Sequence, residues 1–200
     1  MTSGSIIVAA GAAVALLSAS SAAAEPFETF LDMCVGADAT AASAVAAAES
    51  AGWTKLPSDM FSPEDMPFEE PSIHVNSLPD DGKAPAALEM LLTGWVDGRE
   101  LFAIDGIRME TCAIGTEPAD PAQMAGRMED YLGFAPIMLE GQQAWLYSRE
   151  GSHFRSENTL FEAEDGELGE AALRRKLLLA AVVRADGPTV LLLGAVRPNP

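Results

Sequence analysis

Four side chains stand out as able to do covalent or acid–base chemistry: Cys34, Cys112, His74 and His153. A reactive thiol needs a depressed pKa, and neither cysteine has a C-x-x-C partner or a neighbouring His or Lys in sequence to supply it. The first 24 residues carry no charged side chain and read as an export signal, and two thiols in an exported chain meet an oxidising compartment and pair. The expectation is therefore a structural Cys34–Cys112 disulfide, not a catalytic cysteine. The two histidines lack E-x-x-H or H-x-H spacing, so no zinc site is nominated. Each reads as a surface or hydrogen-bonded histidine. Gly151-Ser152-His153 is not the G-x-S-x-G nucleophile elbow, and no acid partner is evident.

The acidic runs are weaker still. Glu162-Ala163-Glu164-Asp165-Gly166-Glu167 has the composition of a calcium loop without its D-x-[DN]-x-[DN]-G register, so it reads as a solvated loop. Glu69-Glu70 and Asp80-Asp81 are adjacent carboxylates, which alone do not make an acid–base pair. Met124 and Met128, spaced i, i+4, are core filler before they are copper ligands. Arg174-Arg175-Lys176 is the one basic cluster and reads as a set of charges flanking a strand. No catalytic residue, cofactor or metal ligand is nominated.

The elements that would carry these residues can be read from periodicity. Phe27, Phe30, Leu31 and Cys34 recur on one helical face, predicting a helix over 25–35. A nearly pure alanine helix follows, capped by Asp38 or Thr40, with Ala41, Ala44, Val45 and Ala48 on one face and Gly52-Trp53 at its end. Residues 57–85 hold six of the thirteen prolines and seven acids, predicting a loop with one short strand over Ile73–Asn76. A three-strand meander is expected over Leu88–Val96, Glu100–Ile104 and Ile107–Ile114, with turns at Asp97-Gly98 and Asp105-Gly106. In its last strand Cys112 shares a face with Arg108, Glu110 and Ile114. Asp120, Pro121 and Gly133 bracket a helix whose stripe is Met124, Met128, Tyr131 and Leu132. Strands are expected over Ile137–Leu139 and Gln143–Ser148, the latter with Trp145 and Tyr147 on one face. A hairpin of Lys176–Arg184 and Thr189–Val196 turns at Asp186-Gly187-Pro188; a helix over Ala171–Val183 is the alternative there. The fold class is α+β: one antiparallel sheet with two or three helices packed on one side.

Thirty acidic residues against twelve basic ones give a net charge of −18. That surplus argues against binding nucleic-acid phosphates or anionic membranes, both of which need Lys and Arg. Residues 1–24 carry no charged side chain. Ile6–Leu17 is apolar, and Ala22-Ala23-Ala24 fits the small-x-small pattern of signal cleavage, predicting a cut between Ala24 and Glu25. The segment before Ile6 has no Lys or Arg, and the low-charge stretch is about long enough to span a bilayer, so an uncleaved anchor is the alternative. Leu31-Asp32-Met33 ahead of Cys34 does not make a lipobox. The domain reading is a signal peptide over 1–24 and one α+β domain over 25–200, with an acidic proline-rich loop at 57–85.

Phe27-x2-Phe30-Leu31-x2-Cys34-Val35, the alanine-rich helix ending Gly52-Trp53, and Thr111-Cys112 on a strand together resemble a group of small exported bacterial proteins of unknown function. The resemblance implies an exported α+β domain with paired cysteines and carries no activity. The expected role is a non-catalytic binding or accessory protein of the cell envelope, periplasmic or secreted, partnering an envelope protein or a small ligand. One alternative is a hydrolase-like enzyme whose site forms only in three dimensions around His74 or His153. The other is an acidic structural or stress-related envelope component.

Overall fold

The computed structural model describes residues 25–57, 68–76, 88–99, 105–163, 166–184 and 187–199. The expected signal segment, the Glu100–Ile104 strand and Asp80-Asp81 lie outside these residues.

Alternating apolar positions build one antiparallel sheet of nine strands among the described residues. In chain order these are β1 (Thr54–Lys55), β2 (Glu69–Val75), β3 (Leu88–Asp97), β4 (Ile107–Glu117), β5 (Ile137–Leu139), β6 (Gln142–Glu150), β7 (His153–Ser156), β8 (Leu177–Arg184) and β9 (Thr189–Pro198). Their spatial order is β1-β2-β3-β4-β9-β8-β6-β5, with β7 also beside β6. The central strands β8 and β9 are nearly continuous aliphatic runs because both faces of the sheet are covered there.

Three helices cover one face. Helix α1 (Pro26–Phe30) runs on through a π turn, Leu31–Val35. Helix α2 spans Ala41–Ser50 and α3 spans Pro121–Leu132. Phe27, Phe30, Ala44, Ala48, Met124 and Met128 pack there on Leu91, Ile114, Trp145, Tyr147 and Leu193. The caps form as their residue types dictate. The Asp120 carboxylate accepts the Ala122 amide at 2.9 Å, and Gly133 takes the left-handed conformation. Gly52, at φ +83°, closes α2. The Trp53 amide then donates to the Ala48 carbonyl and the Gly52 amide to Glu49, a Schellman ending.

Cys34 and Cys112 are bonded, their Cα atoms 5.3 Å apart across 78 residues. Both are completely buried. The cross-link ties the π turn to β4, on the face that Cys112 shares with Glu110 and Ile114.

Three expectations need correction. β3 pairs directly with β4, from Leu88↔Glu117 to Asp97↔Arg108, and their outer edges are taken by β2 and β9. No third strand lies between them, so the meander order fails. The short strand at Ile73–Asn76 is instead Glu69–Val75. Pro71 is tolerated because, among the described residues, β1 pairs only with Val75 and His74 and nothing pairs with the outer edge of β2 at Pro71, beside a register shift between Glu69 and Ser72. Ala171–Val183 divides: helix α4 (Glu167–Arg174) ends before β8 begins at Leu177. The three helices expected on one side are α1, α2 and α3; α4 is a further helix and packs on the opposite face, where Leu168, Ala171 and Ala172 meet Ile107, Met109, Leu177 and Leu179. The acidic run that ends at Glu167 thus leads into a helix.

Replacing both cysteines by alanine should cost about 4 kcal/mol of unfolding free energy by loop-closure entropy, read from urea unfolding of the oxidised and substituted chains. Gly194→Ala should cost about 1–3 kcal/mol in the same assay, because a methyl group there collides with the buried Met109 thioether.

Candidate functional site

The helix-covered face of the sheet has a polar end. On β2, Ser72 and His74 share that face by the period of two, and Asn76 follows just past the strand. Across from them on β3 stand Thr93 and Glu89, and Thr116 of β4 lies directly opposite Glu89 in register. Above this area α2 offers alanines, Ala44 and Ala48, which carry no hydrogen-bonding side chain. The result is a set of buried polar atoms with no hydrogen-bond partner: Ser72 Oγ, Thr93 Oγ1, Thr116 Oγ1 and both ring nitrogens of His74. Such groups are unusual in folded proteins and call for an explanation.

His74 is fully buried, and Glu49 Oε1 of α2 lies 3.8 Å from its Nε2 with its own side chain largely exposed. Burial depresses the His74 pKa below the ordinary value of 6.5. Glu49 pulls it upward, and Lys55, its register partner on β1, pushes it further down. The imidazole is therefore neutral at neutral pH.

Glu89 is only 4% exposed. Its carboxylate accepts the Thr29 hydroxyl of α1 at 3.1 Å and the Asn76 amide at 2.8 Å. Asn76 is exposed, so the carboxylate lies just beneath the surface.

Elsewhere the buried acids are paired with arginine. Glu157, 5% exposed, accepts the Ser148 hydroxyl at 2.8 Å and the Arg175 guanidinium at 2.5 Å. Glu110 holds Arg108 at 2.6 Å and Arg197 at 3.0 Å. Arg197 also donates to the Asp38 carbonyl and to the Thr40 hydroxyl, and the Asp38 carboxylate binds Lys176. Burial and Arg197 lower the Lys176 pKa. Asp38 and Ala39 both adopt left-handed backbone, at φ 59° and 57°. That conformation is costly for non-glycine residues, and the ion pairs and hydrogen bonds from β8 and β9 hold the segment in place. Thr40 occupies the N-cap position of α2, with its hydroxyl turned to Arg197 instead of the helix.

Of the residues singled out from sequence, Cys34 and Cys112 come together as a buried cross-link. His74 is brought to Glu49; His153 is exposed on the β6–β7 hairpin opposite Glu150. The two histidines lie on opposite wings of the sheet and share no site. Ala24 lies outside the described residues, and Glu25 is exposed and ion-paired to Arg127. Met124 and Met128 are buried core. Arg174, Arg175 and Lys176 each find a separate acid: Glu170, Glu157 and Asp38. Sequence reasoning missed Glu89 and its threonines. The available signal was the polar Glu89 and Thr93 alternating with Leu91 on what proved an inward face. Among the described residues no group of three or more His, Cys, Asp or Glu is arranged to hold a metal. The arrangement can bind and orient a hydrogen-bonding group, and it sets the unpaired Ser72 hydroxyl two residues from His74 on the same face of β2.

Compared with protein-family models, curated proteins and solved structures, the chain matches none.

Because the fold binds a proton at His74 less readily than the unfolded chain does, its contribution to stability is present above pH 6.5 and is lost as pH falls through the depressed folded value. Wild type should therefore lose more unfolding free energy than His74→Asn on acidification below 6.5, measured by denaturant titration at a series of pH values.

Proposed function

We propose that the chain is an exported, non-catalytic binding or accessory protein of the cell envelope, working in the periplasm or outside the cell with an envelope protein or a small ligand as partner. The observation that carries this reading is the Cys34–Cys112 bond. Both cysteines are completely buried and the described residues contain no free cysteine. The core is thus built around the oxidised pair, and such bonds persist where the surroundings are oxidising. The uncharged segment 1–24, with its apolar run and Ala22-Ala23-Ala24, supports the same destination. None of the helices among the described residues is long and apolar enough to cross a membrane.

The binding role draws on the polar end of the helix-covered face, which collects buried hydrogen-bonding groups left without a partner in the fold. The hydrolase-like alternative gains one observation, Glu49 beside His74. Against it stands the complete burial of that imidazole, since a general base must reach the proton it removes. The net charge of −18 keeps an acidic envelope component as the third reading.

N-terminal sequencing and mass spectrometry of the native protein test the proposal. The chain recovered from the envelope or culture fluid should begin at Glu25 and weigh two hydrogens less before reduction than after. A cytoplasmic chain beginning at Met1 with free thiols would overturn it.

A further inference from the structure

Two glutamates among the described residues are fully buried, and they are treated differently. Glu157 meets the Arg175 guanidinium. Glu89 meets only neutral donors, the Thr29 hydroxyl and the Asn76 amide. A buried carboxylate is costly unless a positive charge compensates it. The cation that Glu157 finds within its own fold is missing at Glu89 among the described residues.

The surroundings of Glu89 specify what kind of cation would suit. Directly across the sheet, the Thr116 hydroxyl is buried without a hydrogen bond. The Thr29 hydroxyl commits its proton to Glu89 and keeps its lone pairs. The carboxylate has acceptor capacity left after its two neutral donors. These are three buried oxygen acceptors, one of them a carboxylate: Thr29 of α1 bonded to Glu89 of β3, and Thr116 beside Glu89 in register on β4. A primary ammonium has three N–H donors and one positive charge. A divalent metal is a poorer match: calcium takes about six to eight oxygen ligands, usually with several carboxylates, and only one carboxylate is present here. Asn76, the exposed partner, lies on the outer side of the carboxylate. The strongly negative chain concentrates cations near its surface.

We infer that Glu89, Thr29 and Thr116 form a binding site for the primary ammonium group of a small amine, entered past Asn76. The inference rests on the proposed binding role and names the ligand class for it. His74 stands one register row away on β2 and is not a ligand in this assignment. It contributes a neutral neighbour that adds no opposing charge.

The test is calorimetric and thermal-shift titration of the purified, oxidised chain with methylammonium and with putrescine. Tetramethylammonium, which has no N–H, and calcium serve as controls at matched ionic strength. The expected result is a saturable rise in melting temperature with both primary amines and none with tetramethylammonium. Glu89→Gln should weaken amine binding by about tenfold or more, the scale of a hydrogen bond to a charged group. Thr116→Val, which preserves shape and removes one acceptor, should weaken it by a smaller factor and serves if Glu89→Gln does not fold. Absence of saturable amine binding, equal binding by the variants and wild type, or a response to calcium or tetramethylammonium equal to that of the amines would overturn the assignment. None of these outcomes touches the N-terminus or the mass of the native chain, so this inference and the exported role can fail separately.

Discussion

The bond between Cys34 and Cys112 joins the helical layer to the sheet at the point where the two meet. Cys112 sits on β4, flanked in register by Thr93 and Leu193. Cys34 sits in the π turn that continues α1. With that turn held down, Phe27 and Phe30 are pressed onto the face below, and the loop leading to α2 crosses the ends of β4 and β9. The left-handed pair Asp38 and Ala39 is the local cost of that crossing. Arg197 and Lys176 hold it from the sheet side. Cross-link, apolar packing and ion pairs therefore act on one short stretch of chain, residues 31–40.

Charge in this protein has two uses. Among the described residues most acidic side chains face water, which suits a body with net charge −18. Several arginines instead serve buried acids or the left-handed Asp38–Ala39 segment. Arg175 neutralises Glu157 behind the β6–β7 hairpin. Arg108 and Arg197 share Glu110. Arg127 joins α3 to α1 through Glu25 and Glu28 while lying 4.6 Å from the Phe27 ring centroid. Glu89 stands out against this pattern because its partners are neutral.

The alanines of α2 leave the polar groups around His74 in a similar state. A helix of small residues approaches a sheet closely but brings no hydrogen-bonding side chain with it. Serine, threonine and histidine placed under such a helix keep their polar atoms buried and unpaired. On the other side of the sheet α4 packs leucine and alanine onto aliphatic strands, and the problem does not arise. The two faces thus differ in kind, and the unpaired polar groups lie on the helix-covered one.

Local patterns in the chain were enough for several elements. Asp120, Pro121 and Gly133 marked α3 because caps act through neighbours in sequence. Gly52-Trp53 marked the end of α2 for the same reason. Alternation put Trp145 with Tyr147, and Cys112 with Glu110 and Ile114, on shared faces. The cysteine pair followed from number and compartment. Pairing order did not follow, since β3 and β4 bond directly although Glu100–Ile104 had the composition of a strand between them, and hydrogen-bonded neighbours are chosen by the whole sheet. Nor did the side taken by α4, which depends on which face of β8 was left uncovered. The environment of Glu89 was equally out of reach: Thr29 and Thr116 are distant in the chain, and only the stacking of α1 on the sheet brings the Thr29 hydroxyl to the carboxylate, while strand pairing sets Asn76 and Thr116 beside Glu89.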